Sequence, residues 1–232
     1  MTPTDVKVIV AARGHKDVST AGTDDDTHVN YWLRQAIRYV QQVNDWPCHK
    51  TIFSITLTAD DYDYDLTTLL TRFRKIDGSS VRSNKRFYAW VDEIEEIDAQ
   101  LGPAWKDSAS GGGTPQFASL MGQQLILAQK PDAAFVASNP TVDGYYFMGE
   151  DVTSASWLTT ELKLYEDFFD DIIEMALIYG LQQEDDSEFR SQMSYWVNHR
   201  LPGLRGYDPT VLSNEVISGP DLWVEGSSER AY

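Results

Sequence analysis

Two stretches with the residue spacing of amphipathic helices flank a central block of alternating apolar residues, and this order constrains the fold most. Apolar side chains recur every three or four positions in residues 27–45 and again in residues 165–179. Between them, residues 50–149 are rich in β-branched and aromatic side chains with a period of two. Helices that flank a β block are expected to pack together, which makes the block an excursion from a helical core.

The sequence therefore predicts an α+β protein with a helical bundle core formed by its N- and C-terminal helices, a large β-rich insertion and an extended C-terminal arm. The expected divisions are the N-terminal core helices (1–47), the β-rich insertion (48–157), the C-terminal core helices (158–203) and the arm (204–232). The arm is polar and lacks periodicity, so it cannot offset its own ordering entropy by burial. It is expected to become ordered only when it docks.

The first helix carries the clearest terminal signals. Thr2 and Asp5 form a capping box around Pro3, which suits the first helical position. Gly14 is a plausible terminator. The second helix is expected over residues 27–45, with Pro47 ending it.

The central block shows strand signals bounded by turn residues. Residues 114–132 are expected to form two strands joined by a turn at Met121 and Gly122. A short helix is predicted over residues 92–101, and the last helix is expected to begin after Ser187 and to end at Pro202. The predicted strands are residues 51–58, 69–76, 86–91, 116–119, 124–128 and 145–148.

Charge and cysteine content exclude several classes of protein. The formal net charge is −17 in 232 residues, and so acidic a surface repels phosphate backbones and disfavours nucleic-acid binding through a basic patch. The single cysteine, Cys48, rules out an internal disulfide and fits assembly in a reducing cytoplasm. Neither a transmembrane span nor a secretory signal is expected.

A local excess of basic residues has two interpretations. The side chains could be solvated positions that offset nearby acids, or they could form a docking patch for an acidic partner. The residues concerned are Arg72, Arg74, Lys75, Arg82, Lys85 and Arg86.

The usual signatures of catalysis and metal binding fail in detail. The acidic run at residues 60–66 suggests a calcium loop, but Leu66 stands where glycine is needed and Arg72 where a bidentate glutamate is needed. The histidines lack zinc spacing, and the adjacent Cys48 and His49 are badly placed to act on each other. No nucleophile elbow, Walker loop or dinucleotide fingerprint occurs. Neither enzyme activity nor a cofactor is expected.

The helix after residue 158 carries a dense acidic group. Like charges four residues apart cost an isolated helix about 0.2–0.5 kcal/mol per pair, and no Glu-x-x-His pairs suggest a bundled metal site. Either the acids form a solvated face, or they contact basic groups of another subunit or a partner. The residues are Glu166, Asp167, Asp170, Asp171 and Glu174.

Four stretches, taken in order, resemble the head-to-tail adaptor proteins of tailed bacteriophages, also called connector, head-completion or tail accessory proteins. The likeness covers roughly residues 4–201 and departs from the family pattern at residues 128–130 and 158–160. The four stretches are the N-terminal helix, loop and second helix ending at Trp46 and Pro47; the strand and Tyr-Asp turn of residues 51–64; the Pro115, Gly122 and Pro131 meander of residues 114–132; and the apolar helix of residues 165–179.

The resemblance implies a structural virion protein: a ring, commonly of 12 copies, that sits between the portal and the tail or neck proteins. It implies assembly in the host cytoplasm, a place in the virion neck, no membrane, and a conduit through which DNA passes without specific binding. The acidic helix is then expected to face the lumen. The arm is expected to clamp the portal through Tyr207, Leu212, Val216, Ile217, Leu222, Trp223, Val224 and Tyr232.

Two alternatives remain open. The chain could be another neck or tail component, such as a stopper or terminator. It could also be a β-type module that binds carbohydrate or protein and is carried on a helical base.

Overall fold

In the computed structural model, which describes residues 2–106, 112–164 and 166–207, helices from both ends of the chain surround a β-rich middle. The helices are α1 (Pro3–Arg13), α2 (Asp24–Val43), α3 (Leu66–Leu69), α4 (Ile94–Leu101), α5 (Ala133–Ser138), α6 (Phe169–Gln183), α7 (Phe189–His199) and α8 (Leu201–Arg205). Short 3₁₀ turns cover Pro47–His49, Pro103–Lys106 and Glu166–Phe168. The strands are β1 (Lys50–Thr56), β2 (Asp63–Asp65), β3 (Phe73–Ser83), β4 (Arg86–Phe87), β5 (Ala89–Trp90), β6 (Gly112–Gly113), β7 (Phe117–Met121), β8 (Gln124–Ala128), β9 (Lys130–Pro131) and β10 (Thr141–Met148).

The first two helices begin at side-chain caps. The predicted capping box of Thr2 and Asp5 is present at the start of α1. Helix α2 begins at Asp24, three residues before the predicted start at residue 27, because the Thr23 hydroxyl accepts a hydrogen bond from the Asp26 N–H. The acidic residues of this first turn also suit the positive end of the helix dipole.

The helical core is built mainly from the contact between α2 and α6, with α1 packed on both. The indole of Trp32 is buried against Gly180, where an added Cβ would lie 3.2 Å from the ring. The Trp32 Nε1–H donates to Gln183 Oε1 at 2.6 Å, which fixes the two helices in register. The expected pairing of helices from the two ends of the chain is therefore confirmed.

The β block contains two four-stranded sheets with the orders β1-β10-β3-β4 and β2-β8-β7-β5, and β6 pairs with β9. Strands β1 and β10 are antiparallel along their whole length, from Lys50 opposite Phe147 to Thr56 opposite Thr141. The alternation predicted for β1 is confirmed, because Phe53 and Ile55 are buried on the inner face.

The two ends of the chain and the middle have separate apolar cores. The helical cluster includes residues from α1, α2, α6, α7 and α8, together with Val152 and Trp157 from the segment before α6. A second cluster lies between the sheets and a third packs α4 on β8. The α+β prediction of a helical core with a β-rich insertion is thus confirmed, while residues 208–232 lie outside the described part of the chain.

Several boundaries differ from the sequence prediction. Residues 66–69 form α3, capped by the Asp65 carboxylate, so the following strand begins at Phe73. A short helix, α5, was not predicted; it begins at Ala133, and the Asp132 carboxylate caps it by accepting a hydrogen bond from the Phe135 N–H. Pro202 does not end the last helix region: it lies in the first turn of α8, where a missing N–H costs nothing.

Candidate assembly surfaces

The predicted acidic helix divides into carboxylates with different environments. The backbone of Glu166 lies in the 3₁₀ turn before α6, Asp167 is exposed, and Asp170 is exposed on the first turn of the helix. Asp171 is buried, and burial raises its pKa to about 6 although Arg200 partly offsets the shift. Among the described side chains of this acidic group, Asp167 and Asp170 therefore carry the exposed negative charge.

Glu174 is bound within the same chain. Its two carboxylate oxygens accept hydrogen bonds from Arg200 Nη2 at 2.7 Å and Arg200 Nε at 3.1 Å. These bonds raise the pKa of the Arg200 guanidinium. The pair joins α6 to the end of α7 and neutralises one member of the acidic group.

Of the predicted arm residues, the structure describes Tyr207. Its ring centroid lies 4.8 Å from that of Phe168 and 5.7 Å from that of Trp46, and its carbonyl accepts a 3.1 Å hydrogen bond from Asn44 Nδ2. The arm therefore leaves the helical core at a fixed point beside the end of α2. The remaining predicted arm residues lie outside the described residues: Leu212, Val216, Ile217, Leu222, Trp223, Val224 and Tyr232.

A buried polar junction joins the β block to the helical core, and sequence analysis did not find it. The Glu150 carboxylate accepts hydrogen bonds from the Lys163 and Leu164 N–H groups at 2.8 and 3.0 Å, and His49 Nε2 lies 2.7 Å from it. The Glu150 N–H donates to Gln41 Oε1 at 2.7 Å. The sequence signal was weak, because one glutamate after an apolar strand has no characteristic partner spacing.

The local basic excess contributes to the same connection. Arg74 donates to the carbonyls of Gln41 and Asn44 and pairs with Asp45 at 3.0 Å, and Lys75 also pairs with Asp45. Strand β3 is thereby tied to the end of α2. Arg82, Lys85 and Arg86 are exposed around β4, so the six basic residues do not form one uniform surface.

Grooves open on the helical core beside α6. One, about 550 Å³, lies between α2 and α6 and is lined by His28, Tyr31, Tyr179 and polar neighbours, with no carboxylate among its lining residues. Another, about 270 Å³, lies between α6 and α7 and is lined mainly by aliphatic and aromatic side chains. Such shapes suit protein contacts, in which tyrosine and tryptophan are enriched.

Metal-ligating side chains do not cluster in the described ranges. No group of three or more His, Cys, Asp or Glu side chains there is arranged to hold a metal ion. Within the acidic run of residues 60–66, which suggested a calcium loop, Asp63–Asp65 form β2 and the Asp65 side chain caps α3. No described helix is both long enough and apolar enough to cross a bilayer.

These features define an α+β chain in which a helical core from both ends carries an inserted β block. A comparison with protein families matches residues 1–198 to the SU10 adaptor protein family. The chain belongs to this family, a family of phage head-to-tail adaptors, so the resemblance inferred from sequence is confirmed. A comparison with curated proteins found no match.

Proposed function

We propose that this protein forms the adaptor ring, of about 12 copies, that links the portal to the tail and forms part of the DNA conduit. The observation that carries the proposal is the family match over residues 1–198, which spans both halves of the helical core and the whole β block. The proposed site of action is the neck of the virion after assembly in the host cytoplasm. The proposed role requires neither catalysis nor a cofactor.

The separate apolar cores support a division of labour along the chain. Residues 1–47 and 158–203 would form the ring wall, since their helices share one core. The insertion at 48–157 would project from that wall as a second body with its own packing. The arm at 204–232 would reach the portal from its anchor at Tyr207.

The charge of the chain supports a conduit that does not hold DNA. Twelve copies at −17 each would carry about −200 before counterion screening, which opposes adhesion of a phosphate backbone. The proposed lumen is net negative, and its candidate residues are the exposed Asp167, in the turn before α6, and the exposed Asp170, in the first turn of α6. A ring whose inner wall is basic would overturn this part of the proposal.

Mass measurement of the purified protein, with and without its portal, tests the ring directly. A closed oligomer, alone or seated on portal, is the expected result, and electron microscopy would show the central pore. A protein that stays monomeric and does not bind portal under all conditions would refute the adaptor role.

Removal of residues 208–232 tests the arm separately. The segment is polar and lacks periodicity, and the residues before it build three apolar cores, so the shortened chain is expected to stay folded. Portal attachment should be lost, because burial of Leu222 and Trp223 provides about 25 cal/mol per Å² of apolar surface before ordering costs. Undiminished attachment would assign the clamp to another surface.

A protein-binding β module is the second candidate, and one observation favours it. Ile52 is 70% exposed on the outer face of the β1–β10 pair, directly opposite Tyr145, which is also exposed. This candidate predicts a small oligomer whose ligand contacts the β block. A variant that cannot form rings but still binds the ligand would support the β module over the adaptor.

A further inference from the structure

The first sheet of the β block is open at both of its edges. Its strand order is β1-β10-β3-β4, so β1 and β4 each have one strand neighbour in the part of the chain that the structure describes. All three pairings are antiparallel. Because the sheet has four strands, its two edge strands run in opposite directions. An open edge carries backbone N–H and C=O groups that another strand can bind.

The hydrogen bonds between the strands show which residues of β1 face its open edge. The Leu57 N–H donates to the Pro140 carbonyl at 2.9 Å, which continues the register of the β1–β10 pair. Backbone direction alternates along an antiparallel strand, so the N–H and C=O groups of Ile52 and Ser54 point to the open edge. Both side chains are exposed on the outer face of the sheet. A strand added here would pair with these backbone groups and cover Ile52.

The β4 edge offers one apolar residue in the same orientation. The Tyr88 N–H donates to the Val81 carbonyl at 3.1 Å, which continues the register of the β3–β4 pair. The backbone groups of the preceding residue, Phe87, therefore point away from β3 to the open edge. The Phe87 side chain is 57% exposed. A neighbouring strand would therefore meet Phe87 first.

The exposed apolar side chains of the two edges lie on the same face of the sheet. Directly opposed residues share a face. One row of opposed residues crosses all four strands: Phe87, Arg82, Asp143 and Ser54. Contacts follow this row, since the Ser54 hydroxyl donates to Asp143 at 2.6 Å and the Arg82 guanidinium lies 5.6 Å from the centre of the Phe87 ring. Ile52 is two positions before Ser54 and so shares the outer face with Phe87.

The hairpin of β3 and β4 is the basic side of this arrangement. Residues 78–91 contain three basic residues and no acidic one, in a chain with net charge −17. Lys85 and Arg86 are exposed at the turn, and neither belongs to an ion pair among the described residues. The acid opposite this hairpin, Asp143 on β10, accepts its hydrogen bonds from hydroxyl groups. The turn therefore presents positive charge to a neighbour.

The loop after β1 is the acidic side. Asp60 and Asp61 lie in this loop, and neither takes part in an ion pair within the described ranges. Lys130 packs over the Tyr62 ring of the same loop, but it is buried. Lys50 is at the opposite end of β1 and is already paired. When a β4 strand runs antiparallel beside β1, its turn points toward the acidic loop, so opposite charges meet.

We propose that the β4 edge of one copy pairs with the β1 edge of the next copy in an antiparallel arrangement, with Phe87 packed on Ile52. The basic turn of each hairpin lies toward the acidic loop of its neighbour. The contact is head to tail, so repetition about an axis joins the sheets of all copies into one closed collar. This inference rests on the proposed ring and identifies one of the interfaces between its subunits.

Disulfide trapping tests the contact in the full-length protein. Ile52→Cys with Phe87→Cys, in a Cys48→Ser background, should form a ladder of covalent oligomers on portal under mild oxidation, because opposed Cα atoms lie about 5.5 Å apart. Leu69→Cys with Phe87→Cys also joins two exposed positions, and this matched control should form no ladder. Ile52→Cys alone should stay uncrosslinked. Dimers of that single variant would assign the β1 edge to a two-fold pair and overturn the proposal.

A charge exchange gives a second measurement in the same double-cysteine background. Lys85→Glu should lower the yield of the ladder by about two- to fivefold at low salt, and Asp61→Lys in the same chain should restore it. Restoration would show that the two charges face each other across neighbouring copies. A yield that neither change alters would overturn the proposed orientation of the hairpin.

The outcomes separate this contact from the adaptor role. Closed rings on portal without a covalent ladder would overturn the edge contact and leave the adaptor role intact. A ladder that forms only open chains would support the edge contact and refute the ring. A parent protein that neither forms rings nor binds portal would refute the proposed function, and the edge contact with it.

Discussion

The Glu150 carboxylate lies 2.7 Å from His49 Nε2 in the buried seam between the β block and the helical core. His49 precedes the first strand of the β block and Glu150 follows the last. This one contact therefore joins the two points at which the chain passes between the helical core and the β block. Because the same carboxylate holds the Lys163 and Leu164 N–H groups, it also positions the chain leading to α6.

Replacement of Glu150 by alanine should destabilise the protein by about 3 kcal/mol. The change leaves the buried Leu164 N–H, the partly buried Lys163 N–H and the His49 ring without their partner, which is the costly way to break a polar network. Urea unfolding should show the loss, and Glu150→Gln, which keeps one acceptor oxygen, should lose less. Glu96→Ala, an exposed change on α4, is the control. Equal stability of Glu150→Ala and Glu96→Ala would contradict the role of the seam.

Replacement of Asp171 by asparagine should stabilise the protein near neutral pH. Burial raises the folded-state pKa of Asp171 to about 6, above the ordinary value of 3.8, so the stability contributed by this group falls as pH rises from about 4 to about 6. Asparagine removes that cost, which we place at about 1–2 kcal/mol after allowing for solvent near the site. Urea midpoints at pH 7.5 and pH 4.5 should show the gain mainly at the higher pH. Asp170→Asn, a change at the exposed neighbouring residue, is the matched control.

Replacement of Asp26 by asparagine should destabilise the protein, in contrast to the replacement of Asp171. Hydrogen bonds from the Gly22 N–H and then from Lys7 lower the pKa of Asp26, so its contribution is present above pH 4 and is lost as pH falls through the folded-state value. Both Asp26 and its partner Lys7 are buried, and loss of the carboxylate leaves an unpaired ammonium at a cost of about 2–4 kcal/mol. Thermal unfolding at pH 7 measures this loss of stability. Asp24→Asn, an exposed neighbour, should cost about 0.5 kcal/mol or less.

Replacement of Gly78 by alanine should disrupt β3 by displacing Trp90. An added Cβ would lie 2.1 Å from a carbon of the Trp90 indole, which must therefore move from its hydrogen bond to Asp92. We expect a loss of about 1–3 kcal/mol, partly recovered in Gly78→Ala with Trp90→Ala. Gly203→Ala meets nothing within 4 Å on α8 and should be neutral or slightly stabilising. Equal effects of the two single substitutions would contradict the steric explanation.

Sequence patterns predicted the elements whose signals are local and strong. The capping box of Thr2 and Asp5 marked α1, and alternation placed Phe53 and Ile55 on the inner face of β1. The strand of residues 124–128 was predicted at its observed limits. These features depend on neighbours a few positions away, which the sequence displays directly.

The missed features depend on residues far apart in the chain. Asp171 and Asp170 are adjacent acids on one helix, yet one is buried and the other exposed, because packing against the core decides which faces inward. Glu150 joins the β block to the helical core through its contact with His49, which is 101 positions away in the sequence. The role of Pro202 was misjudged because proline can either stop a helix or begin one.

Strand β1 opens the β block and β10 closes it, with Lys50 directly opposite Phe147, so the chain leaves the helices and returns to them at neighbouring points. A peptide bridge of a few residues could therefore replace everything between those points without stretching the remaining scaffold. Selection can enlarge, shrink or exchange the block while the helices keep their spacing. The β block can thus change together with the protein that it contacts, while the helices preserve the scaffold.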